Sequence, residues 1–173
     1  MIENISLRLA TIIKNANEEN TASIDVMKYG LLILINGIII SVLSILLGFL
    51  FGKPTETLIT MISFVMLRMV SGGYHFKTAN QCIIISIILM ITLPFIPIND
   101  KIEGVLIIVS FVIVLIKAPS SIEKQSRIPK QYYPLLKLIA ALLIVTCYFI
   151  GSDTITKAFF IQSLLLIKIK GGD

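Results

Sequence analysis

The sequence predicts an all-α fold: a polytopic membrane helical bundle of about six transmembrane helices plus an N-terminal amphipathic helix. Three observations predict it. Hydrophobic residues make up 56% of the 173 positions and charged residues 14%, with a mean hydropathy of +0.95. That leaves too little polar surface to coat a water-soluble globule. The apolar residues also fall into six charge-free stretches, 29–52, 57–67, 78–99, 104–116, 138–152 and 158–167. Finally, the basic residues segregate to alternate connections between those stretches.

Before the first stretch, Ile2, Ile5, Leu9, Ile12, Ile13 and Ala16 recur at helical spacing, while Glu3, Asn4, Arg8, Thr11, Lys14 and Asn15 take the other positions. Residues 1–24 are therefore read as an amphipathic helix lying in the membrane interface. The same charges argue against a cleavable signal peptide, so the first span is expected to direct insertion. Only 29–52 and 78–99 reach the roughly 20 residues that cross a hydrocarbon core unaided. The other four stretches need their flanks, where Glu56, Arg68, Glu103, Lys117 and Lys137 can snorkel to the headgroups. Pro94 and Pro97 should kink or end the third span. The stretches follow one another too closely for a soluble domain to fit between them, so residues 1–173 read as a single membrane domain.

With both termini in the cytoplasm, 12 of the 15 Lys and Arg residues fall inside: Arg8, Lys14, Lys28, Arg68, Lys77, Lys117, Lys124, Arg127, Lys130, Lys137, Lys168 and Lys170. Only Lys53, Lys101 and Lys157 fall outside, which is the asymmetry of a multi-pass cell-membrane protein obeying the positive-inside rule. The net charge of +5 is thus a topology signal, and no nucleic-acid partner is expected. Two loops end up on the cytoplasmic side, 68–82 and the basic loop 117–134.

The loop 68–82 carries the chemistry. It contains the only histidine of the chain, His75, and ends on Cys82 at the mouth of the next span. Ser71, Gly72 and Gly73 form a turn-forming break between apolar runs, and irregular backbone at a membrane boundary is tolerated where protein or a wet cavity satisfies it. A nucleophilic thiol needs a base and positive surroundings, which His75, Arg68 and Lys77 offer. Cys147 lies within the fifth span near the opposite face and reads as core packing. A third, orienting residue could be Asn80, Gln81 or Ser71, and the expectation is a His75–Cys82 dyad. One His and one Cys make too few ligands for zinc, and neither a metal nor another cofactor is called for. Seven residues separate His75 and Cys82, which on one helix would hold their backbones roughly 10.5 Å apart, so the helix must break between them. The competing reading is a small multi-span transporter or channel without catalysis. It explains less, because 29–52 and 78–99 contain no ionisable residue.

At this loop the sequence resembles the accessory gene regulator protein B peptidases of Gram-positive quorum sensing. Arg68, Ser71, Gly72, Gly73, Tyr74, His75 and Cys82 stand as in the family's Arg, Ser-Gly-Gly-Tyr-His and Cys pattern. KAPSSIEKQSRIPKQYY, beginning at Lys117, is similar to the family's Ala-Pro turn and basic loop, with fewer consecutive basic residues. The resemblance implies a cysteine endopeptidase that cuts the C-terminal tail from a short amphipathic propeptide and promotes its cyclisation to a thiolactone or lactone. It implies Cys82 as nucleophile, His75 as base, and Lys124, Arg127 and Lys130 as holders of an acidic tail. The expected partners are that propeptide and membrane lipid; self-association into a homo-oligomer is left open.

Overall fold

The computed structural model describes residues 2–74, 78–120 and 128–167. Among them the regular structure is helical, apart from one isolated parallel bridge between Gly72 and Ser120. Seven α-helices follow in order: α1 Ile2–Ala16, α2 Ile24–Leu50, α3 Pro54–Ser71, α4 Ala79–Thr92, α5 Asp100–Lys117, α6 Tyr133–Ile150 and α7 Asp153–Leu164.

Helix α1 packs on α2 through the small residues Ser6 and Ala10, one turn apart and fully buried. Small side chains let two helices approach closely. The apolar side chains Ile5, Leu9, Ile12 and Ile13 stay exposed. The helix stops short of residue 24. Lys14 Nζ donates to the carbonyls of Glu18 (2.6 Å) and Thr21 (3.1 Å), folding 17–23 into a link instead of another turn.

Two of the expected span lengths are corrected. The third stretch yields only the 14-residue α4, about 21 Å long, followed by one 3-10 turn, Leu93–Phe95. Pro94 supplies no N–H and cannot continue the α-helical ladder. The fifth stretch gains what the third loses: with its leading 3-10 turn, Lys130–Ile150 forms 21 residues of apolar helix. Counting from charge to charge hid this, because Lys137 interrupts the apolar run at a helix end where a lysine can snorkel. Among the described residues, two helices are long and apolar enough to cross a membrane, Ile24–Leu50 and Lys130–Ile150. Helices α3 and α5 are 18 residues each and carry charges near their ends, and α7 has 12.

The short α7 is the centre of the bundle, in contact with both α3 and α5. Thr154, Thr156, Lys157, Ala158, Phe159, Gln162 and Ser163 are all buried, so its two faces serve neighbours rather than the exterior. One core joins Leu67, Val114, Ala140, Ile144 and Phe159; a smaller one joins Phe64, Met90 and Ala158. Leu46, Leu50, Ile84, Ile108, Ile116, Leu142 and Phe149 instead point outward and are more than half exposed. An apolar belt of that extent is the exterior of a membrane protein.

Successive helices alternate in direction, and their ends meet in two groups. At one end, the C-terminus of α3, the start of the α5–α6 connection and the C-terminus of α7 are tied by backbone hydrogen bonds: Gly73 N–H to Ser120 O, Ser120 N–H to Ser71 O (both 2.9 Å), and Tyr74 N–H to Leu165 O (2.8 Å). At the other end, Lys53 Nζ donates to Pro94 O and Lys157 Nζ to Ile96 O, both at 2.8 Å.

Candidate active site

The glycine turn at the first of these ends assembles the site. Helix α3 terminates because Gly72 adopts φ +69° and Gly73 φ +134°, conformations that a Cβ disfavours. Gly72 N–H still reaches back to Arg68 O at 2.9 Å, closing the last turn. Gly73 has a second reason to lack a side chain: a Cβ there would stand 3.2 Å from Gln162 Nε2 and 3.3 Å from Leu165 O. The chain then resumes as α4 at Ala79, capped by Thr78, whose Oγ1 accepts from Gln81 N–H at 3.2 Å. The helix is therefore broken between Ser71 and Ala79, in keeping with the break that the seven-residue interval requires.

Arg68, in the last turn of α3, is the electrostatic centre. Its Nη2 donates to Tyr74 O at 2.9 Å and its Nη1 to Gln162 Oε1 at 3.3 Å, while the guanidinium lies over the Phe64 ring at 5.9 Å. It is also close enough to the Cys82 thiol to interact with it electrostatically. Cys82 sits half-buried in the first turn of α4, its N–H bonded to Thr78 O at 3.2 Å. A helix N-terminus and a guanidinium together give a region of positive potential, which stabilises negative charge developing on a reacting atom.

Of the residues singled out from sequence, the structure brings Arg68, Ser71, Gly72, Gly73 and Cys82 to one end of the bundle. Lys130 opens the 3-10 turn that leads into α6 and is exposed. His75, Lys77, Lys124 and Arg127 lie outside the described residues. As orienting residues, Asn80 and Gln81 are exposed, and the buried Ser71 hydroxyl is engaged with Gln162 Nε2 and Gly72 O. Cys147 is fully buried elsewhere, 3.4 Å from Thr156 Oγ1. Among the described residues, no three His, Cys, Asp or Glu side chains gather where a metal ion could be held.

Sequence reasoning missed Gln162 and Ser120. Ser120 had no signal, being one serine in a polar loop. Gln162 had one: it is a lone carboxamide in the apolar stretch 158–167, where a polar side chain is costly enough to ask for a reason.

The sequence profile of the family described as Accessory gene regulator B matches residues 6–169. An AgrB-like protein of Halalkalibacterium halodurans is 22% identical over 98% of this chain and 88% of its own length. Protein FsrB of Enterococcus faecalis is 30% identical over 55% of this chain and 39% of its own length. AgrB-like protein 2 of Clostridium perfringens is 32% identical over the same share of this chain and 44% of its own length. No solved structure matches.

Proposed function

Because the chain belongs to the Accessory gene regulator B family, which implies a part in processing quorum-sensing autoinducer peptides, we propose that it is a membrane cysteine endopeptidase acting on a short autoinducer propeptide. The observation that carries this reading is Cys82 in the first turn of α4, at the same end of the bundle as Arg68 and the glycine turn.

In this reading Cys82 Sγ attacks the carbonyl carbon at the precursor's C-terminal processing site as His75 takes the thiol proton. The tetrahedral oxyanion forms in the positive potential of Arg68 and the α4 N-terminus. Its collapse breaks the C–N bond, His75 returns the proton to the leaving amine, and an acyl thioester on Cys82 results. A cysteine or serine of the precursor then attacks that thioester, closing a thiolactone or lactone ring and releasing the Cys82 thiol. Ring closure outruns hydrolysis because a well-oriented internal nucleophile reaches effective molarities on the order of 10⁵ M. Lys77 would add to the positive surroundings of the thiolate, and Lys124, Arg127 and Lys130 would hold an acidic tail. The exposed apolar belt and the basic asymmetry support six crossings with both termini in the cytoplasm, α3, α4, α5 and α7 using their flanks.

The test is precursor cleavage in membranes. Cys82→Ala and His75→Ala should each abolish cleavage at normal expression, while Cys147→Ala should cleave close to the parent rate. Full cleavage by the Cys82→Ala protein would remove the peptidase reading.

A further inference from the structure

One side chain from another helix holds the turn that precedes His75. Gln162, in the last turn of α7, is fully buried. Its Nε2 donates to Gly72 O at 2.7 Å and to Ser71 Oγ at 3.2 Å, and its Oε1 accepts from Arg68 Nη1 at 3.3 Å. All three bonds go to residues of the site, although Gln162 is 94 positions from Arg68 in sequence. Leu165, just past the end of α7, adds a fourth tie through its carbonyl, which accepts from Tyr74 N–H.

Packing alone does not call for a carboxamide here. Its neighbours Ile161 and Leu165 pack on the smaller core, and a leucine at 162 would bury with no polar group to satisfy. The carboxamide's geometry serves something else. Its donor end fixes the carbonyl of Gly72, where the chain leaves α3 toward His75. Its acceptor end orients one nitrogen of the guanidinium whose other nitrogen holds Tyr74 O, the carbonyl immediately before His75. A single planar group therefore sets the guanidinium and the turn relative to each other.

We propose that Gln162 is a positioning residue for the processing reaction, acting through Arg68 and the Ser71, Gly72 and Gly73 turn, which it holds in one fixed arrangement at the end of the bundle where Cys82 stands. The proposal rests on reading His75 and Cys82 as the catalytic pair. A displacement of about 1 Å in such a pair can cost on the order of 100-fold in rate, so loss of the clamp should fall on kcat and not on substrate affinity.

Two substitutions in the full chain, assayed in membranes, test it. Gln162→Leu keeps the volume and removes all three hydrogen bonds. Gln162→Glu keeps the shape and the acceptor for Arg68, but it loses the donor and turns a carboxylate oxygen toward Gly72 O. Both should lower kcat for precursor cleavage by at least about tenfold per folded molecule, with KM changed less than about twofold. The rate of Cys82 alkylation by iodoacetamide as a function of pH, measured in a Cys147→Ala background, should move away from the parent profile toward that of His75→Ala. A residue that only stabilises the bundle would reduce the folded amount and leave both readouts of the remaining protein unchanged; that result overturns the proposal. Should the leucine chain fail to accumulate, the isosteric glutamate chain decides by the same two readouts. Retained cleavage by Cys82→Ala marks failure of the peptidase reading, a different result from unchanged kinetics in the Gln162 variants.

Discussion

The two ends of the bundle close unsatisfied helix-terminal groups with different chemistry. At the end away from the site, charged side chains do it. Lys53 caps Pro94 O and lies 4.8 Å from the centroid of the Phe95 ring; Lys157 bridges Ile96 O and the Asp153 carboxylate (2.8 and 2.9 Å); Thr156 donates to Glu103 at 2.9 Å. At the turn end, among the described residues and apart from Arg68, the work falls to backbone amides and the neutral carboxamide of Gln162. Charge-assisted bonds are about twice as strong as neutral ones and hold one geometry. Neutral bonds can be arranged around a half-buried thiol without introducing an anion that would compete for a nearby cation. One end is a fastening and the other a platform. The contrast also explains two of the three lysines that the basic asymmetry leaves at the far end: they are helix caps.

The largest effect should come from breaking the fastening. Lys157 is nearly inaccessible, its side chain 4% exposed against 47% for Asp153. Lys157→Met keeps the stem but leaves Ile96 O and the Asp153 carboxylate without their cation. Thermal unfolding in detergent should show a loss of about 2–3 kcal/mol, since bonds to charged groups carry roughly that much. The kcat of the folded fraction should stay at the parent value. A comparable fall in kcat would mean that the two ends are not independent.

The converse variant strikes the platform. Gly73→Ala forces a Cβ into φ +134° and against Leu165 O, a backbone atom that cannot step aside. Strain of about 1–3 kcal/mol is expected locally, and the turn should relieve part of it by shifting. Precursor cleavage should fall about tenfold or more, while Tm moves less than in Lys157→Met. A Gly73→Ala chain with parent kinetics would show that the turn tolerates displacement.

Much of this contrast was legible in the sequence, and the remainder fails for identifiable reasons. The all-helical class, the amphipathic α1 and the break at Ser71, Gly72 and Gly73 follow from periodicity and glycine chemistry, which are local. The family follows from the Arg68 to Cys82 pattern. Pro94 ends the third span as its missing N–H predicts, so only its charge-to-charge length was overcounted, while Lys137 concealed the start of α6. The roles of Gln162 and Lys157 depend on bonds between α7 and segments 61 to 94 residues away, and no spacing rule reports such bonds. Helix α7 offered the shortest of the six apolar stretches because its polar residues are spent inward, at both ends of the bundle.

The smallest expected effect concerns pH at the fastened end, and it separates the two chemistries again. Asp153 precedes the apolar stretch of α7 and stands outside it. Burial pushes its carboxyl up, but the hydrogen bond and positive charge of Lys157, with the hydroxyl and amide of Thr154, outweigh that and hold it below the ordinary carboxylate value. A carboxyl whose folded-state pKa is depressed binds its proton more readily when unfolded. Its contribution to stability is therefore complete above the unfolded value of about 3.9 and disappears as pH falls through the lower folded one. Because Asp153 is nearly half exposed, solvent screens the pair and the contribution is small. Comparing Tm of the parent and Asp153→Asn in detergent should show the parent slightly ahead at pH 7 and the gap closing below about pH 4. In the Lys157→Met background that fall of the gap on acidification should be reduced, because the cation that supplies most of the depression is gone and only the Thr154 bonds remain against burial. A gap that widens on acidification would assign the pair the opposite sign and detach it from the lysine fastening.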